Sequence, residues 1–479
     1  MDSLALKQVP VVDRPAPRIV LLVAATAGVV AQGGFYLPGR ILVTLLVAAA
    51  CLLALHAHRD LFAGHAAVLG TAAAVAGWAL VRGATSGGLP VAAAVTASLA
   101  TLVVAQAVVR RTAPAGRVWI ASGLVALGTL VAVTGWAGVA WRIGRWSVLV
   151  ESTLWRAAST LTYSNAAAAV LAVTALLALA MTLTEPGTWR WPCAVYLTQV
   201  GLAATLSRAG ALAFAAGLVV FAAAAGARAV LRHAVPAAFG AAVALAALVP
   251  SFPAGGRPEP LLAVGGLLAG GAVAVLVPRL HGRPLFAAVA AAAAAVIGGG
   301  WLLAGGGPRP AALDKLLDRR ATFASQGRSG ATDSALDLVA AHPVVGSGPG
   351  QARFFWTDHT GQLVVSRWVH NEYLQWLVDL GATGLVLLLA LCAALFALMR
   401  RGRRDVVPVA LMRGGRQDGV PAPLWAGAAA AVAALALHSA FDFLWELAVV
   451  PVILGALVGI AAPSHNEESA PPPNGEETP

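Results

Sequence analysis

Long apolar blocks separated by short polar breaks occupy most of this chain. The block from Leu285 to Ile297 contains only Leu, Phe, Ala, Val and Ile, so it lacks the polar face of an amphipathic helix in a soluble protein. Lipid or neighbouring helices must therefore surround it. Strands of a membrane barrel would alternate apolar and polar residues, which these blocks do not, whereas a helix satisfies its own backbone hydrogen bonds. The pattern predicts an all-α fold, a polytopic bundle of transmembrane helices.

About 12–14 blocks approach the length that a helix needs to cross a bilayer. The predicted spans are 19–36, 41–57, 64–82, 88–109, 118–140, 165–184, 190–206, 210–227, 237–252, 259–277, 285–305, 375–399, 423–441 and 445–462. The spans 190–206 and 237–252 are short for a crossing. The predicted organisation is an N-terminal segment (1–18), helices in 19–305, a long and partly helical loop (306–374), helices in 375–462, and a polar tail (463–479) typical of disorder.

The distribution of charged residues predicts the orientation of the chain in the membrane. Of the 479 residues, 59% are hydrophobic and 11% are charged, and the net charge of +11 comes mainly from basic residues in the short breaks. Arginine-rich loops favour the cytoplasmic side, so nucleic acid is not a predicted partner. With a cytoplasmic N-terminus, the dense clusters at 110–117 and 400–416 fall inside, and so does the C-terminus. The segments 141–165 and 306–369 then lie outside the cytoplasmic membrane although both carry arginines, which makes them the places to look for function.

The cysteine spacing and the sequence motifs indicate no metal site. Cys51, Cys193 and Cys392 lie in or beside apolar blocks and form no C-x-x-C pair, and no zinc or calcium motif occurs. We therefore predict no metal and no cofactor.

The long outside loop contains two helix-like stretches and a glycine-rich segment. The stretch 311–322 suits a helix lying at the membrane interface. The stretch 329–341 should end at His342, because Pro343 disfavours helix at the residue before it. The segment 345–350 (VGSGPG) is either a structural turn or a cradle that offers backbone N–H groups to a phosphate.

His370 is the candidate catalytic residue. It stands where the loop enters the span that follows, so it should lie at a helix start on the outer membrane surface. The positive end of a helix disfavours an imidazolium, and a neutral imidazole can accept a proton from a hydroxyl. The alternative is a cap or an ordinary surface group.

Arg208 and Arg328 are the candidate anion-binding residues. Arg208 lies between two apolar blocks with almost no loop, where it either binds an anion such as a phosphate or extends to the interface. Arg328 precedes a loop helix, where it either binds an anion or is a solvated charge. His438, Asp442 and Glu446 are spaced by four, which predicts one shared helix face. These acidic residues either orient the arginines or cap helices.

At these positions the chain resembles the superfamily of O-antigen ligases and polysaccharide polymerases. The resemblance rests on 205–210 (TLSRAG), on the run from Arg328 to 342–350 (HPVVGSGPG), and on 370–375 (HNEYLQ) followed by 380–384 (LGATG). It covers roughly residues 200–400. It departs from the family where Ala331, Thr332 and Asp333 replace an aromatic residue after the loop arginine, and in its higher number of spans.

The resemblance implies glycan transfer without a metal. The donor would be a glycan on undecaprenyl pyrophosphate, and the acceptor a hydroxyl of a lipid, glycan or protein outside the cytoplasmic membrane. His370 would activate the acceptor, Arg208 and Arg328 would bind the pyrophosphate, and a single displacement would invert the anomeric centre. The supporting residues are Asn371, Glu372, Tyr373, Gln375, His438 and Asp442.

Two other functions compete with this one. A transporter or flippase for a polyprenyl-linked or amphipathic substrate should place charged or broken helices at the bilayer midplane. A scaffold subunit should tolerate loss of His370 or Arg208. The distinctive polar residues gather instead at one predicted surface, which favours an active site there.

Overall fold

The computed structural model describes residues 15–150, 153–276, 326–357, 361–413 and 419–463. The predicted span 285–305, the loop helix 311–322, and nearly all of the N-terminal segment and the tail lie outside these ranges. The described helices are α1 (Ala16–Val30), α2 (Leu37–Ala57), α3 (Ala66–Ser86), α4 (Leu89–Arg110), α5 (Pro114–Ala140), α6 (Ser164–Thr184), α7 (Arg190–Ala204), α8 (Arg208–Ala225), α9 (Ala227–Leu248), α10 (Pro260–Leu276), α11 (Gln326–Ala341), α12 (Glu372–Gly402), α13 (Val409–Arg413), α14 (Ala422–Ser439) and α15 (Val449–Ala461).

Nine of the described helices are long and apolar enough to cross a membrane, namely α2 to α6, α8, α9, α12 and α14, and three shorter apolar helices are α1, α10 and α15. The chain is therefore a multi-pass helical membrane protein, as its pattern predicts. The connections that the structure describes contain three two-stranded ladders. They pair β1 (Ser147–Val150) with β2 (Leu154–Ala157), β3 (Phe354–Thr357) with β4 (Leu363–Ser366), and β5 (Val406–Val407) with β6 (Val420–Pro421).

The predicted helix boundaries hold to within several residues, and the largest departure is at α9. Helix α7 has 15 residues and is short, as predicted. Helix α9 begins at Ala227 rather than near 237, because it follows α8 directly through Gly226, whose φ is +95°. The basic residues Arg228 and Arg232 therefore belong to the first turns of α9 and not to a loop.

Helix α6 is the centre of the bundle. Within its apolar window 94% of the residues are buried, against 22% for α2, which is therefore peripheral. Gly128, Gly210 and Gly427 on three neighbouring helices face α6, and a Cβ added at each would lie only 2.1 to 2.5 Å from an α6 side chain. Such close backbone approach is what small residues provide between transmembrane helices. Helix α6 is thus held firmly along its length, and the candidate site lies at its N-terminal end.

Contacts between the ends of different helices define two ends of the described bundle. Arg40 at the start of α2 forms an ion pair of 3.1 Å with Glu446 just before α15. Tyr163 before α6 donates a hydrogen bond to Asp442 beyond α14. We call this the His370 end. At the opposite end the Arg117 guanidinium donates to the Ala462 carbonyl at 2.6 Å.

Helix α12 is broken at Gly381, whose φ of +69° and ψ of −172° are outside the helical region. The preceding loop fills the break, with the Ser347 amide donating to the Val378 carbonyl at 2.8 Å and the Ala382 amide to the Pro343 carbonyl at 2.9 Å. Backbone groups freed by the break are thereby satisfied within the protein, as a membrane environment requires.

Candidate functional site

His370 stands one residue before the N-cap of α12, as predicted. The cap is Asn371, whose side-chain oxygen accepts a hydrogen bond of 3.1 Å from the Leu374 amide. His370 itself has a φ of +56°, a conformation that residues other than glycine adopt rarely and at a cost of about 1–3 kcal/mol. The Val369 amide donates to the side-chain oxygen of Gln375, which helps to hold this turn.

The imidazole of His370 is anchored on one edge and open on the other. Its Nδ1 lies 3.2 Å from Oδ1 of Asp442, a carboxylate whose side chain is fully buried, whereas 32% of the histidine side chain is exposed. Within the part of the chain that the structure describes, no residue forms a hydrogen bond with Nε2. A carboxylate on Nδ1 that leaves Nε2 open is the arrangement that general-base histidines use in hydrolases.

Asp442 is held by four donors. Besides His370, the Tyr163 hydroxyl lies 2.7 and 2.6 Å from its two oxygens, the Asn165 side-chain amide donates at 2.5 Å, and the Phe443 amide donates at 2.9 Å. Burial raises the pKa of this carboxyl, but hydrogen bonds from His370, Tyr163 and Phe443, with the charge of His370, outweigh it and lower the pKa below its ordinary value. Asp442 is therefore ionised at neutral pH and favours a proton on Nδ1.

An aromatic stack lies beside the imidazole. The Phe443 ring is stacked between the rings of Tyr163 and Trp368, at centroid distances of 5.5 and 5.2 Å. The His370 ring is tilted against the same Phe443 ring at 5.1 Å. The contact with Phe443 restricts the ring orientation of His370.

Arg208 is the first residue of α8 and lines an apolar cleft of about 420 Å³. Its Nη1 atom is buried and has no hydrogen-bond partner among the residues that the structure describes. The other lining residues come from α7, α8, α9 and the turn between α7 and α8: Gln199, Leu202, Ala203, Leu206, Ser207, Ala211, Phe214, Ala238, Ala241, Ala242 and Leu245. A guanidinium at the polar end of an apolar cleft suits a ligand that carries both an anion and a hydrocarbon chain.

The turn before Arg208 is strained and fixed from the neighbouring loop. Leu206 has a φ of +52°, and the Ser207 hydroxyl caps α8 by accepting from the Gly210 amide at 3.2 Å. The Arg156 guanidinium donates to the Thr205 carbonyl at 2.7 Å. The segment 141–165, which the sequence predicts to lie outside, thus contributes to the position of Arg208.

Asn165 joins the histidine and the arginine parts of the site. Its Nδ2 donates to Asp442, and its Oδ1 accepts from the Ser207 hydroxyl at 2.9 Å and from Arg156 at 3.2 Å. A continuous path of hydrogen bonds therefore runs from His370 through Asp442 and Asn165 to the residue next to Arg208.

The remaining supporting residues of α12 fix the helix start rather than face the open edge of His370. The buried Glu372 carboxylate accepts from the Trp376 indole at 3.1 Å. The Tyr373 hydroxyl donates to the Ala436 carbonyl at 2.8 Å, and Gln375 donates to Asp379 at 3.2 Å. These bonds connect α12 to α14 and stabilise its first turns.

The prediction that His438, Asp442 and Glu446 share a helix face is wrong, because α14 ends at Ser439. His438 is buried in the last turn of α14, while the two acids lie in the connection that follows. Asp442 contacts His370, and Glu446 forms an ion pair with Arg40. Burial raises the pKa of Glu446, and the neighbouring guanidinium only partly offsets that rise.

The backbone of Arg328 lies in the first turn of α11, and its side chain is outside the described part of the structure. Helix α11 packs beside the segment that leads to His370, since Ala331 belongs to one apolar cluster with Phe354 and Val369. Convergence of Arg328 with the other two candidates stays a prediction.

The glycine segment is a structural turn. Gly346, Gly348 and Gly350 all have positive φ. The amides of Gly346, Ser347 and Gly348 donate to the carbonyls of His342, Val378 and Asp379 at 2.8 to 3.0 Å. These N–H groups are therefore not free to bind a phosphate.

Tyr163, Asn165, Arg156 and Ser207 were not predicted as individual site residues. Ser207 lies within the quoted 205–210 motif, and the other three lie in the 141–165 segment, whose arginines were the only signal. Among the described residues no group of three or more His, Cys, Asp and Glu side chains is placed to hold a metal ion.

No protein-family model matches this chain, and no curated protein matches it. Fold and composition together define the class, a multi-pass helical membrane protein.

Proposed function

We propose that this protein transfers a glycan from a polyprenyl pyrophosphate, such as undecaprenyl pyrophosphate, to an acceptor hydroxyl at the outer face of the cytoplasmic membrane. The observation that carries the proposal is the His370–Asp442 pair, whose open Nε2 lies at the same end of the bundle as the cleft of Arg208. A base for a hydroxyl and a cation for an anionic leaving group are the two functions that this reaction needs.

The reaction is a single displacement. Nε2 of His370 takes the proton of the acceptor hydroxyl while that oxygen attacks the anomeric carbon. The bond from this carbon to the pyrophosphate oxygen breaks, and the lipid pyrophosphate leaves with the electron pair. Asp442 stabilises the imidazolium that forms. Attack opposite the leaving group inverts the anomeric centre.

Negative charge develops on the leaving pyrophosphate, and Arg208 stabilises it together with Arg328. A guanidinium offers fixed donors that match phosphate oxygens and that need no reorganisation during the reaction. The apolar walls of the cleft below Arg208 suit the polyprenyl chain, which has to stay in lipid while its head group reacts.

The arginine bias of the loops supports the outer side for this site. With the His370 end outside, the basic clusters at 110–117 and 400–416 lie on the cytoplasmic side. A cytoplasmic N-terminus and an odd number of crossings before α12 follow from the same orientation.

The test is purified protein in lipid nanodiscs with a polyprenyl-pyrophosphate oligosaccharide and candidate hydroxyl acceptors, with and without a chelator. We expect release of polyprenyl pyrophosphate, a product with inverted anomeric configuration, and no effect of the chelator. A second assay uses the same protein in sealed vesicles. Movement of the intact donor across the vesicle membrane, without release of polyprenyl pyrophosphate, would instead establish the transporter alternative. If the donor is neither cleaved nor moved, only a structural role remains for the protein.

A further inference from the structure

The side chain of Asn165 bonds both to Asp442 and to the turn that precedes Arg208. Its side chain is 7% exposed, Ser207 is 6% exposed and Asp442 is fully buried. Hydrogen bonds in such a dry environment are strong, and leaving one unmade is costly. The path through Asn165 is thus a rigid part of the structure.

The chemistry of its neighbours fixes the orientation of the Asn165 amide. The ionised Asp442 carboxylate only accepts hydrogen bonds, so the NH₂ group must face it. The Arg156 guanidinium only donates, so the carbonyl oxygen must face Arg156. Because these two neighbours have opposite requirements, only an amide satisfies both from one side chain of this size.

Each end of the amide holds one part of the site. Toward Asp442 it helps to fix the carboxylate that orients the His370 ring. Toward Ser207 it holds the hydroxyl that caps α8 and so sets the first turn, where Arg208 begins. The central position of α6 gives this link a firm support.

We infer that Asn165 is a positioning residue. It fixes the position of the base His370 relative to the anion-binding Arg208, so that the reacting sugar of one donor is within reach of both. This inference rests on the proposed function for its chemical meaning. The physical coupling of the two residues through Asn165 does not depend on the substrate.

Two substitutions separate the two directions of the link. Asn165→Leu removes both, whereas Asn165→Asp keeps an acceptor for Ser207 and Arg156 and puts a second carboxylate against Asp442. Gln106→Leu and Gln106→Glu are matched controls, because Gln106 is an equally buried amide that bonds to His65 at the opposite end of the bundle.

The readout is chemical modification without substrate. The rates of carbethoxylation of His370 by diethyl pyrocarbonate and of adduct formation at Arg208 by phenylglyoxal are measured by peptide mass spectrometry on folded protein. We expect at least threefold changes at both residues in Asn165→Leu, a change at His370 alone in Asn165→Asp, and none in the Gln106 variants. Rates within twofold of the wild type at both residues in Asn165→Leu would overturn the inference. If that variant does not fold, an unchanged His370 rate in Asn165→Asp would overturn it.

Transfer activity is measured separately. Absence of donor turnover in the wild-type protein would refute the proposed function, and the modification rates would still decide the coupling. If the wild-type protein is active, we expect kcat of Asn165→Asp to fall about ten- to hundredfold with little change in KM, because the Arg208 side is kept. A loss of folded protein alone would lower the fraction of active protein and leave the dependence of kcat on pH unchanged.

Discussion

Nδ1 of His370 lies 3.2 Å from Oδ1 of Asp442, although 71 residues stand between them in the sequence and they belong to different connections of the bundle. The carboxylate is buried behind the imidazole, and the other edge of the ring is open. The imidazole is therefore oriented as a general base requires, with the carboxylate on Nδ1 and the other ring edge open.

Asp442→Asn should lower the rate of glycan transfer by about 10²–10⁴-fold, because an amide no longer favours a proton on Nδ1 and the open Nε2 loses its basicity. The measurement is kcat with saturating donor. Glu446→Gln is the matched control, since Glu446 lies in the same connection but pairs with Arg40. Equal losses in the two variants would show that the connection matters only for structure.

Arg208→Lys should weaken binding of polyprenyl pyrophosphate by about ten- to hundredfold, because an ammonium cannot offer the paired donors of a guanidinium. The dissociation constant is measured on purified protein. Arg228→Lys, at an exposed position of α9, should bind as the wild type does. Unchanged affinity in Arg208→Lys would mean that Arg208 merely extends to the membrane interface.

The two acids of the 440–448 connection should give stability of opposite pH dependence. Asp442 has a lowered pKa, so its stabilising contribution is complete above its unfolded pKa of about 3.9 and is lost as the pH falls through the folded value. Glu446 has a raised pKa, so the folded state binds more protons and stability falls as the pH rises from about 4.3 through the raised value.

Thermal unfolding midpoints measured from pH 3 to 8 in detergent test this pair. The Asp442→Asn variant should lose part of the acid-side decrease, and Glu446→Gln should lose part of the decrease that begins at about pH 4 as the pH rises. The same pH profile in both variants as in the wild type would contradict the assignment of the two carboxyl groups.

Gly381→Ala should destabilise the protein. The residue has a φ of +69°, and an added Cβ would lie 2.2 Å from the Val344 carbonyl oxygen of the loop that fills the break in α12. Backbone strain alone costs about 1–3 kcal/mol. Gly77→Ala in α3 is the control, because no atom lies within 4 Å of the added Cβ there. Equal unfolding midpoints for the two variants would show that the loop does not depend on this contact.

The sequence predicts the bundle well because an apolar block about 20 residues long has few alternatives in a membrane. It also predicts the start of α12 at His370, since the loop ends there and Asn371 is a good cap. The sequence alone does not decide whether 345–350 is a structural turn or a phosphate cradle, and only the partners of its amides distinguish the two.

The partners of His370 could not be predicted from spacing. Asp442 lies beyond the end of α14, so a pattern of four residues suggested a helix face that does not exist. Tyr163 and Asn165 reach the carboxylate only because α6 lies at the centre of the bundle, which is a result of packing between helices distant in the sequence. One sequence carries no signal for such contacts.

The central claim is that His370 activates the acceptor hydroxyl, and a single-turnover transfer assay tests it most directly. Wild-type protein, His370→Ala and the control His56→Ala, an exposed histidine at the opposite end of the bundle, are each mixed with a pre-bound polyprenyl-pyrophosphate glycan and an acceptor. We predict that His370→Ala binds the donor normally and transfers at least about 10²-fold more slowly, while His56→Ala matches the wild type. Transfer by His370→Ala at the wild-type rate would contradict the account.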